Sequence, residues 1–244
     1  KNPEIDIDDF FESSLGVCVD DEGNVYALPV MVEGPVVYYN KAIFKEKGID
    51  KIPTTMDELM EVAAKCNDPG KDIAGFVCRG KGGDAVTMFS CFLRAFGGDF
   101  FDENGNAAIN TPEALQAFEY YGKILREYGP QGVLNMGWTE TMAVFTQGKA
   151  AMRLDADTNI PNIIDPETSL VPAEDIGYFM VPVGPNGDSG TFKITAWALG
   201  ISTFSPQKDA AWAFISWVAD KKMDLAYQYA GGSSARKSTW EVPD

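Results

Sequence analysis

Apolar positions in this chain come in short blocks broken by polar, Gly and Pro residues, and the spacing inside the blocks switches between strand-like and helix-like. Val36–Tyr39 is a compact apolar run that predicts a buried strand. Asn40 can cap a helix that ends before Gly48. Thr55 and Glu58 have capping-box spacing ahead of Leu59, Val62 and Ala63. Residues 73–78 read as a strand and 84–96 as a helix stopped by Gly97 and Gly98. Thr111-Pro112 opens a long helix with Leu115, Phe118, Leu125 and Tyr128 near one face, ending at Gly129. Residues 139–147 read as a helix stopped by Gly148, and 150–154 and 176–181 as strands. Pro182, Gly184, Pro185 and Gly187 make 182–189 a loop. From Thr191 an apolar, β-branched and aromatic run predicts a further buried strand. Ser205 then serves as N-cap and Pro206 as first residue of a helix with Ala211, Phe214, Ile215 and Val218 as its stripe. Strands alternating with helices, with no internal repeat, make the class α/β.

Composition narrows the partners. The 244 residues are 45% hydrophobic, an ordinary globular value, and carry a formal net charge of -16. Such a surface repels nucleic acid phosphates and anionic membranes, and suits a neutral or cationic ligand. No apolar run approaches the length of a membrane-spanning helix. No signal peptide stands at Lys1, which decides nothing about export. Cys18, Cys66, Cys78 and Cys91 include no CxxC pair, and there is no histidine, so no metal site is expected. Buried thiols are expected rather than disulfides.

Candidate chemistry sits at strand ends, where α/β sheets place ligands. Arg79 follows one predicted strand and can donate paired hydrogen bonds to vicinal hydroxyls, or simply be salt-bridged. Asp155 follows another and can accept from two adjacent hydroxyls, or pair with Arg79 when the site is empty. Asp157 either joins it or caps the next helix. Trp138 either forms a stacking wall or packs the lobe, and Trp197, between Ala196 and Ala198, is either a core residue or a ligand-facing indole. Gly80-Lys81-Gly82-Gly83-Asp84-Ala85 fits G-x-G-x-x-A, but Asp84 would place negative charge where a pyrophosphate must sit, so no nucleotide cofactor is expected. With no histidine and no Gly-x-Ser-x-Gly elbow, no catalytic residue is assigned.

Several blocks in order carry a family resemblance: Leu28–Glu33 into Val37–Lys41, Pro53–Leu59, Gly75–Gly80, Phe96–Asp102, Gly137–Glu140 through Phe145, Gly148–Met152 with Asp155, the Thr191–Trp217 strand–helix unit, and Gly231-Gly232 with Arg236–Ser238. Together they resemble extracellular solute-binding proteins, of the family 1 type, that feed ABC importers of sugars and polyols. The resemblance implies an α/β, periplasmic-binding-protein-like (type II) fold of two lobes joined by a hinge. Residues 1–31 and 201–244 would form a partial first lobe, 36–196 the second, and 32–36 and 197–200 the crossings. Members are usually longer, so the chain looks like an internal fragment whose incomplete first lobe exposes apolar surface to self-association or a domain swap.

The resemblance further implies that Glu33, in the first crossing, reaches the ligand, that the Asp155 position faces it, and that Arg236 borders the cleft. Ser233-Ser234-Ala235 departs from the family's Pro-containing turn, and Ala156, Asp157 and Thr158 stand where an aromatic residue is common. The implied function is extracytoplasmic capture of a small sugar or polyol, in the periplasm or on a lipid anchor, and delivery to a membrane permease by hinge closure, without cofactor. A glycoside hydrolase or a surface glycan-adhesion module are the alternatives.

Overall fold

A computed structural model describes residues 5–187 and 195–242. Its helices and strands in chain order are α1 (Glu12–Leu15), β1 (Ala27–Glu33), β2 (Pro35–Asn40), α2 (Lys41–Glu46), α3 (Met56–Cys66), α4 (Gly82–Ala95), α5 (Pro112–Tyr128), α6 (Trp138–Thr146), β3 (Met152–Ala156), α7 (Ile160–Ile164), β4 (Ile176–Met180), β5 (Thr195–Gly200), α8 (Lys208–Val218), α9 (Lys221–Tyr229) and α10 (Lys237–Trp240). They fall into two units, Lys1–Gly34 with Ile194–Asp244 and Pro35–Lys193.

The second unit is built on a sheet of order β3-β2-β4, with β2 antiparallel to both neighbours. β2 is apolar at consecutive positions because both of its faces are covered. Val37, Leu154 and Phe179 face a core shared with Leu59, Phe92 and Leu125 of α3, α4 and α5. Val36 and Tyr38 face a second core with Phe145 and Ile163 of α6 and α7. The helix starts follow their capping residues. Asn40 accepts from the Ala42 and Ile43 amides, Thr111 from that of Ala114, and Thr55 and Glu58 form the reciprocal box.

Two expectations are corrected here. Residues 73–78 make only isolated bridges, Ile73 to Asp68 antiparallel and Ala74 to Ala150 and Val77 to Arg153 parallel, instead of a continuous strand. Gly75 explains the break: a Cβ there would lie 1.9 Å from the Ala63 carbonyl oxygen, so the segment presses onto α3 and leaves strand geometry. On α5 the buried stripe is Ala114, Ala117, Ile124 and Leu125, while Leu115 and Phe118 are exposed; Phe118 stacks on Phe89 with centroids 4.1 Å apart.

In the first unit β1 pairs antiparallel with β5, with a register shift between Pro29 and Met31. A small core gathers Ile5, Phe10, Leu28, Ile215, Ala219 and Ala235. Thr191–Ile194, the expected start of the last strand, and residues 188 and 189 of the expected loop lie outside the described residues. The rest of that strand, expected to be buried, is largely open: Trp197 is 54% exposed. Helix α8 starts at Lys208 rather than Pro206, because the Ser205 hydroxyl accepts the Gln207 amide in a tight turn of its own. Only Ile215 of its stripe is buried, and Phe214, of the same stripe, and Trp217 are exposed. No helix among the described residues is long and apolar enough to cross a membrane. All four cysteines are buried, and no disulfide forms among the described residues.

Candidate functional site

The register of the three-stranded sheet sets the site. Val36 lies opposite Asp155 and Tyr38 opposite Arg153, so these four side chains share one face. Two charges two residues apart in an otherwise apolar strand therefore point the same way, and both are fully buried. The Arg153 Nη2 donates to Asp155 Oδ2 at 2.8 Å and to Thr141 Oγ1 at 3.5 Å. Its Nε and Nη1 have no hydrogen-bond partner among the described residues. Asp155 is thus the counter-ion on which a buried cation depends.

Arg79 reaches the same carboxylate from the irregular segment after Cys78. Its Nε donates to Oδ2 at 2.9 Å and its Nη2 to Oδ1 at 2.5 Å, a bidentate pair. The Arg79 side chain keeps 14% exposure, against none for Asp155. Backbone contacts fix its base: the Tyr121 hydroxyl donates to the Arg79 carbonyl at 2.5 Å, and the Gly80 amide donates to the Met136 carbonyl at 2.9 Å. Gly80 must be glycine, since a Cβ would sit 2.4 Å from the Val133 carbonyl oxygen. That close approach lays the Arg79 loop beside the chain leading into α6 and Trp138.

Trp138 is the first residue of α6 and 37% exposed. Its Nε1 donates to Asn159 Oδ1 at 2.6 Å. Asn159, 3% exposed, donates in turn to Asp155 Oδ1 at 3.0 Å and to the Ala156 carbonyl at 2.8 Å. An unbroken set of hydrogen bonds therefore joins the indole of Trp138 to the guanidinium of Arg79. The Tyr38 hydroxyl lies 2.9 Å from the Ala156 carbonyl and 2.8 Å from that of Asp157, bracing the strand end beneath.

The electrostatics follow from burial and pairing. Burial alone would raise the Asp155 carboxyl, but the Arg153 and Arg79 guanidinia and the Ala156 amide outweigh it and hold it below the usual carboxylate range. Burial pulls Arg153 down from its ordinary value, and Asp155 opposes that pull. Burial, with Asp157 adding to it, keeps Tyr38 protonated at any physiological pH.

Asp155 accepts from Arg79 twice, from Arg153, from the Ala156 amide and from Asn159. The carboxylate is fully engaged by protein donors, and its pairing with Arg79 is the alternative expected for an empty site. Arg236, expected to border the cleft, is corrected. It is fully buried in the first unit, where its guanidinium donates to the carbonyls of Ile5, Asp6 and Ala219 and to Asp9, and lies 4.1 Å over the Phe10 ring. It ties the two ends of that unit together and is spent on the protein. Asp157 is half-buried in the turn before α7. Glu33 ends β1 opposite Thr195, half-buried, and Trp197 stands exposed on β5 opposite Met31, both in the first unit. The structure thus brings together Arg79, Asp155 and Trp138, with Asp157 two residues beyond Asp155.

Sequence reasoning missed Arg153 and Asn159. Arg153 was legible as a charge on the Asp155 face of an apolar strand. Asn159 had no such signal, because it follows a tight turn with neither strand nor helix period. A hollow of about 810 Å³ in the first unit is lined mostly by apolar residues, Leu15, Val25, Tyr26 and Trp212 among them, with Asp6 and Asp8 also in its wall. No cluster able to hold a metal ion occurs among the described residues.

An arginine and an indole thus stand at the edge of one buried hydrogen-bond network. Residues 1–224 match the model of the bacterial extracellular solute-binding protein family, and the chain belongs to that family. It is 33% identical over 204 residues to the mannitol-binding protein of Pseudomonas aeruginosa, covering 82% of this chain and 46% of that one. An ABC transporter solute-binding protein of Agrobacterium vitis with bound D-mannitol superposes with a TM-score of 0.87 at 28% identity, over 99% of this chain and 59% of the other. One from Agrobacterium radiobacter in complex with ribitol gives 0.87 at 31% identity, over 99% and 61%. The chain thus spans about half the length of the curated relatives it matches. These matches establish the α/β, type II solute-binding fold, and the proteins named are binding proteins, not enzymes.

Proposed function

We propose that this protein captures a small neutral polyhydroxylated molecule, an acyclic polyol such as mannitol or ribitol before a cyclic sugar, outside the cytoplasm. The observation that carries this reading is the hydrogen-bonded array from Arg79 through Asp155 and Asn159 to Trp138. A guanidinium with a planar fork of donors can take two vicinal hydroxyls, and an exposed indole face suits the C–H side of a carbon chain. Asp155 contributes by holding Arg79 in place. Glu33 and Trp197 are the candidate contacts of the first unit, and Asp157 is a further candidate in the second. The polyols bound by the relatives support the choice of ligand.

Delivery to the membrane permease of an ABC importer by hinge closure belongs to the same reading, as does a location in the periplasm or on a lipid anchor. Ligand would favour the closed form only by its differential affinity for the two states. Isothermal titration with D-mannitol, ribitol and maltose tests the proposal: binding of a polyol that fails in Arg79→Met supports it, and indifference to all three ligands refutes it.

A further inference from the structure

We propose that Asn159 is a positioning residue that locks the Trp138 indole in register with the Arg79 guanidinium; this deepens the ligand-site reading above and rests on it. Asn159 occupies the residue before α7, where an asparagine ordinarily caps the helix with its side chain. Here its backbone is already helical and its side chain makes no cap bond. The amide is turned wholly toward the site instead. Its oxygen takes the Trp138 N–H at 2.6 Å, and its nitrogen donates to Asp155 at 3.0 Å and to the Ala156 carbonyl at 2.8 Å.

Only one orientation of the amide satisfies this set. The indole nitrogen is a pure donor, and the carboxylate and carbonyl are pure acceptors. An indole carries its single N–H off the ring axis, so pinning that atom fixes the plane of the exposed ring as well as its position. The same amide touches the carboxylate that holds Arg79 by two hydrogen bonds. Ring plane and guanidinium plane are therefore set by one side chain, itself 3% exposed and immobilised by three partners. A ligand that stacks on one plane and hydrogen-bonds the other needs both preset, which spares it the ordering cost of binding.

The test pairs a spectroscopic readout with affinity. Five tryptophans give five indole N–H signals in a nitrogen–proton correlation spectrum, and the one lost in Trp138→Phe belongs to Trp138. In Asn159→Ala that signal should move to the position of a non-hydrogen-bonded indole while the other four stay. Affinity for D-mannitol or ribitol should fall about 10-fold, the effect of one hydrogen bond and its stranded partner. In a Trp138→Phe background the same substitution should cost clearly less than in the wild type, because the bond to the indole is already gone and only the bond to Asp155 remains to be lost. Asn159→Ser keeps a short polar side chain that cannot reach the indole and gives the same readings should the alanine variant not fold. An unmoved Trp138 signal, or an equal loss in both backgrounds, overturns the proposal. The signal is read without ligand, so it decides the positioning role even if no polyol binds. If Arg79→Met and Trp138→Ala leave affinity intact, the ligand-site reading fails; if they weaken binding and Asn159→Ala does not, only the positioning role fails.

Discussion

Asp155→Ala separates an orienting carboxylate from a ligand-binding one. A carboxylate that merely met ligand hydroxyls would be removable at little cost to the fold. Here the substitution strands Arg153, which is fully buried, holds Asp155 at 2.8 Å, and has two further donors with no partner among the described residues. Breaking a buried pair by removing one member costs about 3–5 kcal/mol, mostly from the uncompensated charge left behind. For a chain of this size each kcal/mol is worth roughly 2–4 °C of Tm, so the melting temperature should fall by roughly 10 °C. Arg79→Met gives the opposite signature. It leaves Asp155 paired with Arg153, so stability should fall by only about 1 kcal/mol, while the loss of charged donors weakens polyol binding by about 10–100-fold. Thermal melts by circular dichroism and titration calorimetry on both variants read the two effects. A drop of under about 3 °C for Asp155→Ala would refute the counter-ion account.

Other outcomes follow from the same contacts. Asp155 and Asp9 both sit below the ordinary carboxylate range, so the stability they contribute is complete above the unfolded value of about 4 and is lost as pH falls through their folded values; an acid melt should steepen below about pH 4, and Asp155→Asn should flatten it. Arg236→Lys should cost about 2–3 kcal/mol, because a lysine cannot reproduce the planar set of donors to Ile5, Asp6, Ala219 and Asp9; an unchanged urea midpoint would contradict it. The exposed Phe214 and Trp217 of α8 should drive self-association of the 244-residue chain, and replacing both by serine should reduce it in sedimentation velocity.

The second unit was largely legible because its determinants are local. Asn40, Thr55 and Thr111 cap helices where their side chains alone dictate, and β2 is apolar on both faces because both are covered. The failures were tertiary. Gly75 looked like an ordinary strand residue until the Ala63 carbonyl was seen against it. Arg236 looked like a ligand contact because a sequence does not reveal that four acceptors and an aromatic ring surround it. Asp155 and its pairing with Arg79 were legible, but the further donors at positions 153, 156 and 159 were not, because only the fold collects them.

The most direct test of the central claim is saturation-transfer NMR of the wild-type chain with D-mannitol, repeated with Trp138→Ala and Arg79→Met. The account predicts transfer from protein to mannitol carbon-bound protons in the wild type, lost or sharply reduced in both variants. Transfer of equal strength in all three proteins, or none from any, would contradict it.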